Sequence, residues 1–173
     1  MRIDKAYALS LDSLFLFLRQ IVHMLTGISH LHSVLRWLAL IAILISIVQS
    51  FQGMTGNKEF TAKNNRWSLI TLISFHLQLV LGLVLYFGNG WYTRFGEMSD
   101  AAVRFWTVEH LTAMIIAIAL VTIGRARAKR TDVAKTKHKR HFWYFLIALL
   151  IVLANIPWPF REPGIARGIF PGM

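Results

Sequence analysis

The chain reads as an all-α integral membrane protein: a four-helix transmembrane bundle, up-down-up-down, preceded by an N-terminal extension. Three observations predict this. Of 173 residues, 55% are hydrophobic and 16% charged, against about 25% charged in an ordinary soluble domain. No Asp, Glu, Lys or Arg occurs in 37–57, 67–93 or 142–160, and Glu109 is the one charged residue in 105–124. A bilayer crossing takes about 20 apolar residues, at 1.5 Å rise each over about 30 Å of hydrocarbon. The apolar stretches therefore give spans near 31–51, 67–88, 104–124 and 142–160.

Residues 1–28 form the extension. Leu11, Leu14, Phe15, Leu18, Val22 and Leu25 share one helical face, with Asp12 and Arg19 elsewhere, the pattern of an interfacial helix. The split apolar run and the lack of an A-x-A-like site argue against a signal peptide. A start at Met24, with the upstream residues a product of start-site choice, is the other reading. The membrane domain covers 29–162. The tail, 163–173, follows Pro and Gly residues that oppose a further helix. No repeat of solenoid type occurs.

The net charge of +11 invites a nucleic-acid partner, but its location argues against one. Eight of the 19 basic residues crowd into one short loop: Arg125, Arg127, Lys129, Arg130, Lys135, Lys137, Lys139 and Arg140. A basic loop between apolar spans is the positive-inside signal, and it places 125–141 in the cytoplasm beside anionic headgroups. The turn carrying Lys58, Lys63 and Arg66 then also lies inside, and 88–104 lies outside. With no cysteine, disulfides, thiolate metal sites and iron–sulfur clusters are excluded. Scarce carboxylates exclude a di-iron carboxylate bundle.

Seven histidines remain to be explained, because polar groups at membrane depth are costly. At 100° per residue, His32 shares a face with Ser29, Arg36, Ala39, Ile43, Ser46 and Ser50. His110 shares one with Trp106, Ala113, Met114, Ala117, Val121 and Gly124, and His141 one with Phe145, Ala148, Val152 and Asn155. These small and polar stripes should face the bundle interior. In span two the polar face is Thr71, Ser74, Gln78 and Gly82, and His76 points about 160° from Gln78, so only one of the two can face inward.

Depth selects the pairs able to share an iron. His32 lies about 27 Å from the inner boundary, His110 about 21 Å and His76 about 14 Å. Pairing His110 with His32 or with His76 is feasible, whereas His141 is too far from His110. The residues thus point to a b-type haem on His110 with His32 or His76 as the second ligand, since imidazole suits haem iron. Arg36 would meet a propionate and Trp106 the macrocycle edge, while Glu109, Thr107 or Ser29 would hydrogen-bond the ligand's other nitrogen. Blander readings stand beside these. His30 and His32 could meet headgroups, His138 and His141 belong to the basic loop, and His76 could join helices by a hydrogen bond. Glu109 with His110 could relay protons.

The segments Leu31-His32-Ser33-Val34-Leu35-Arg36-Trp37, Phe75-His76-Leu77-Gln78-Leu79-Val80-Leu81-Gly82, Val108-Glu109-His110 and Ala154-Asn155-Ile156-Pro157-Trp158-Pro159-Phe160-Arg161 resemble the small four-span bacterial membrane proteins catalogued as cytochrome b-like, over about residues 24–170. The run from Gln78 to Gly82 also resembles, more faintly, one half of haem A synthase. The resemblance implies a haem b, a bacterial inner membrane, and His32, His76 and His110 as the matching histidines. It also implies a chain beginning near Met24.

Two function classes follow. One is an electron carrier that exchanges electrons with quinol or a larger respiratory complex. The other is a non-redox subunit or assembly factor of a membrane complex, and a small proton-coupled transporter is a weaker third. No nucleophile–base pair, phosphate loop or carboxylate dyad marks an enzyme active site.

Overall fold

The computed structural model describes residues 5–169, with side chains from residue 12 onward. Residues 1–4 of the extension, the Leu11 side chain and residues 170–173 of the tail lie outside that description. The described residues are helical without a strand. Four long helices run α1 (Lys5–Thr55), α2 (Ala62–Gly88), α3 (Ala101–Lys129) and α4 (Ala134–Asn155). Short connections make successive helices antiparallel neighbours. Each helix packs on the next, and α1 closes the ring against α4.

Three helices, within Asp12–Thr55, Ala62–Gly88 and Ala101–Lys129, are long and apolar enough to cross a membrane. The fourth differs from expectation. Helix α4 stops at Asn155, so its uncharged helical part begins only at Phe142 and spans about 20 Å at 1.5 Å per residue. The rest of the apolar run, from Ile156 to Phe160, is non-helical, because Pro157 and Pro159 cannot donate to the ladder and clash with the preceding turn. Helix α1 differs in the opposite sense. It runs unbroken for 51 residues, about 76 Å along its path, through the expected extension boundary, and residues 12–20 are all exposed.

The stripes read from the sequence form the core. Ala39, Ile43, Ser46 and Ser50 of α1, Thr71 and Phe75 of α2, Ala117 and Val121 of α3, and Phe145, Ala148 and Val152 of α4 are all buried. Their burial needs small or matched partners. Ser46 Oγ and Thr71 Oγ1 meet at 3.0 Å between α1 and α2, so neither hydroxyl is left unpaired in an apolar layer. Outward positions carry Leu38, Leu44, Ile73, Val80, Ile115 and Leu150, all exposed. Such a surface suits hydrocarbon and not water.

Close approach sets α3 against α4. A Cβ added at Gly124 would sit 2.5 Å from the Tyr144 Cβ, closer than real atoms pack. Gly124→Leu is expected to destabilise the detergent-solubilised bundle by about 1–3 kcal/mol through overpacking. A thermal melt of the purified variant checks this, and an unchanged midpoint would contradict the close α3–α4 contact.

Candidate functional site

A cavity of about 540 Å³ opens in the half of the bundle away from the basic loop, within the size range of small-molecule and cofactor sites. Helix α1 contributes His32, Arg36 and Ala39, α2 contributes Phe75, Gln78 and Gly82, and α3 contributes Trp106, His110 and Met114. Val152 and Ile156 form its floor on the α4 side. His32, Arg36, Trp106 and His110, each singled out from sequence, therefore meet in one place. Gly82 faces His32, and a Cβ there would lie 3.5 Å from the His32 Cε1, in ordinary van der Waals contact.

His76 does not join them. It is exposed on the outer face of α2, and its Nδ1 donates to the carbonyl of Leu72 at 2.8 Å. Gln78 takes the inward position instead, donating from Nε2 to the His32 carbonyl at 3.0 Å. The geometry of α2 allows only one of these residues to face in, and the amide can satisfy a backbone acceptor there.

His110 is held by a partner that sequence reasoning missed. Its Nδ1 lies 2.9 Å from the Asn155 carbonyl oxygen. A carbonyl only accepts, so Nδ1 carries the proton and Nε2 keeps a lone pair for a ligand. This acceptor is free for a reason visible in the sequence. In a continuing helix the amide of residue 159 would occupy it, but residue 159 is proline. The same logic repeats two residues earlier. Pro157 leaves the Leu153 carbonyl unclaimed by the ladder, and the Trp158 indole donates to it at 2.9 Å. None of the expected side-chain partners plays this part. Glu109 is exposed and pairs with Arg104 at 2.8 Å. Thr107 reaches the Trp91 carbonyl at 3.5 Å.

The backbone just before His110 is unusual. Residues Phe105–Glu109 form a π-helical turn, and such turns cluster at functional sites. The extra residue in the turn re-aims the aromatic pair Phe105 and Trp106, whose ring centroids lie 5.6 and 5.7 Å from that of His110.

Several buried polar atoms of cavity residues lack a hydrogen-bond partner: His32 Nδ1, Gln78 Oε1 and Arg36 Nε. Natural proteins rarely leave such groups unpaired, so their convergence on one cavity fits a polar or metal-bearing ligand. No group of three or more His, Cys, Asp or Glu side chains gathers as a metal site among the described residues. The cavity is bordered by three imidazoles, His30 and His32 of α1 and His110 of α3, of which His32 and His110 are half-buried.

The tail crosses the mouth. Arg36 Nη2 and the Trp37 indole both donate to the Ile169 carbonyl, at 2.9 and 3.1 Å. Trp106 donates to the Gly164 carbonyl at 2.9 Å, and the Arg167 guanidinium lies 4.7 Å from the Trp106 ring centroid.

At the opposite end the structure corrects one expectation. His138, read as a loop residue, is buried at 1% exposure. Its ring fills the space left by Gly53 and packs 5.0 Å from Phe60. The missed signal was Gly53 on the buried face of α1, which marks where another helix approaches.

Comparison with protein-family models, with curated proteins and with solved structures yields no match. Trp106→Phe removes the indole donor that fastens the tail, a loss of about 1 kcal/mol. Limited trypsin digestion at Arg167 is then expected to speed up about fivefold, since cleavage follows the open population.

Proposed function

We propose that this chain is a cytochrome b-like membrane protein in which His32 of α1 and His110 of α3 would hold one b-type haem. The observation that carries this reading is the pair itself. Two half-buried imidazoles on separate helices border one cavity, and one of them has its distal nitrogen fixed by a backbone carbonyl in the manner of a ligating histidine. The residues fit the group in other respects. Arg36 and Arg167 stand at the mouth as cations for propionate carboxylates. Trp106 offers an aromatic edge, and Phe75, Leu79 and Ile118 keep the floor apolar. When bound, haem supplies reversible one-electron exchange at iron. The chain's part is to orient His110 through the Asn155 carbonyl, to exclude water and to balance charge.

The proposed setting is the cytoplasmic membrane of a bacterium. The basic 125–141 loop lies on the cytoplasmic side and the cavity in the outer half. In this reading the chain crosses four times, and the last crossing is completed by the non-helical segment 156–160. The backbone acceptors freed by its prolines, on Leu153 and Asn155, are covered by Trp158 and His110. Quinol or a larger respiratory complex would exchange electrons with it. A second reading, a non-redox subunit or assembly factor, draws on the exposed length of α1 before residue 21, which offers a partner a complete helical surface.

The visible spectrum of the purified protein tests the proposal. A Soret band with sharp reduced α-bands is expected. His110→Ala and His32→Ala should each lose at least about nine-tenths of the haem, and His76→Ala should retain it. A colourless protein overturns the haem reading, and equal retention in all three variants overturns the axial pair.

A further inference from the structure

A second cavity, of about 370 Å³, lies at the inner end between the α1–α2 turn, α3 and α4. Its wall is basic: Arg125 and Lys129 from α3, Lys137 and His141 from α4, beside Asn65 in the first turn of α2. We propose that this cavity is a specific site for a phosphate-bearing anion, supplied by a phospholipid headgroup or as free phosphate.

Two independent features point to such a ligand, one to its charge and one to its hydroxyl. The first is uncompensated buried charge. Arg125 is 5% exposed, and its Nη1 donates only to uncharged acceptors, the Asn65 carbonyl at 3.1 Å and the Ser68 hydroxyl. The ion pairs found among the described residues, Arg94 with Glu97 and Arg104 with Glu109, are both at the other end of the bundle. A buried cation without a counter-ion is costly, and a bound anion offsets that cost. The second is an orphaned ring nitrogen. His141 is 3% exposed and stacks flat on Phe60, 10° between planes at 5.2 Å. Its Nδ1 donates to the Lys137 carbonyl at 3.2 Å, and its Nε2 has no partner. With Nδ1 donating, Nε2 presents a lone pair, which a hydroxyl of the bound group can fill, the P–OH of inorganic phosphate or a glycerol hydroxyl of phosphatidylglycerol. The N-terminus of α2, whose Thr61, Ala62 and Asn65 line the cavity, adds the positive end of a long helix dipole.

General attraction of the basic loop to anionic lipid would spread over all its lysines. A built site would depend on the lining ones. The purified full chain in neutral detergent is therefore loaded with phosphatidylglycerol, with phosphatidylcholine as reference, and phosphorus retained after gel filtration is measured. A parallel arm titrates inorganic phosphate and reads the thermal midpoint. The double variant Lys129→Gln/Lys137→Gln is compared with Lys135→Gln/Lys139→Gln, which removes the same charge from exposed positions outside the cavity. The lining pair should weaken binding on the order of tenfold, and the exposed pair less than about twofold. His141→Gln should also weaken it. Phosphatidylglycerol retention identifies a headgroup as the source, and a response to inorganic phosphate alone identifies the free anion. Equal loss in both double variants, or no binding of either probe, overturns the site.

Discussion

The most consequential constraint in this molecule is that a backbone carbonyl in an apolar medium must find a donor. Two prolines two residues apart, Pro157 and Pro159, withhold donors from Leu153 and Asn155. The chain answers each with a side chain, the Trp158 indole and the His110 imidazole. The second answer orients the histidine, so the end of α4 decides which ring nitrogen of α3 faces the cavity. Helix termination and site geometry are one feature here, and the Asn155 carbonyl that a mere helix stop sets free fixes a tautomer 45 residues away.

Around that point the bundle separates packing from polarity. Its middle layer, with Ile43, Thr71, Ala117, Val121 and Phe145, is closed to solvent, while the unpaired polar atoms are displaced toward the ends. His32, Arg36 and Gln78 lie on one side of the layer and His138 and His141 on the other. Small residues make this arrangement possible in space: Gly53 admits His138 and Gly124 admits Tyr144. Each glycine sits on a buried or half-buried face, so each marks a close contact and not a weak point in its helix.

Much of this was legible in the sequence, because helical periodicity is a strong signal when apolar residues dominate. The interior faces of α1, α3 and α4 follow the 100° rule, and His32, Arg36, Trp106 and His110 converge as their stripes imply. The choice between His76 and Gln78 was visible as a conflict, but deciding it required knowing which α2 face meets α1. The π-helical turn at Phe105–Glu109 leaves no trace in periodicity, since one extra residue in a turn shifts register without changing composition. The Asn155 carbonyl was hidden for another reason: backbone groups carry no sequence label, and only the i+4 position of Pro159 could have revealed this one. His138 misled because its neighbours Lys137 and Lys139 are solvated, whereas the face it belongs to is set by Gly53.

The dry middle layer also has an electrical consequence. In a polarised bilayer the voltage falls mainly across regions that water cannot enter. Were the bundle to lie across such a bilayer, the cavities at its two ends would concentrate the drop over the few helical turns around Ile43 and Phe145. One elementary charge carried through the full drop exchanges about 2.3 kcal/mol with each 100 mV. A charge entering the cavity of His32 and His110 from its own end would feel a small part of that, and one arriving from the basic end would feel nearly all of it.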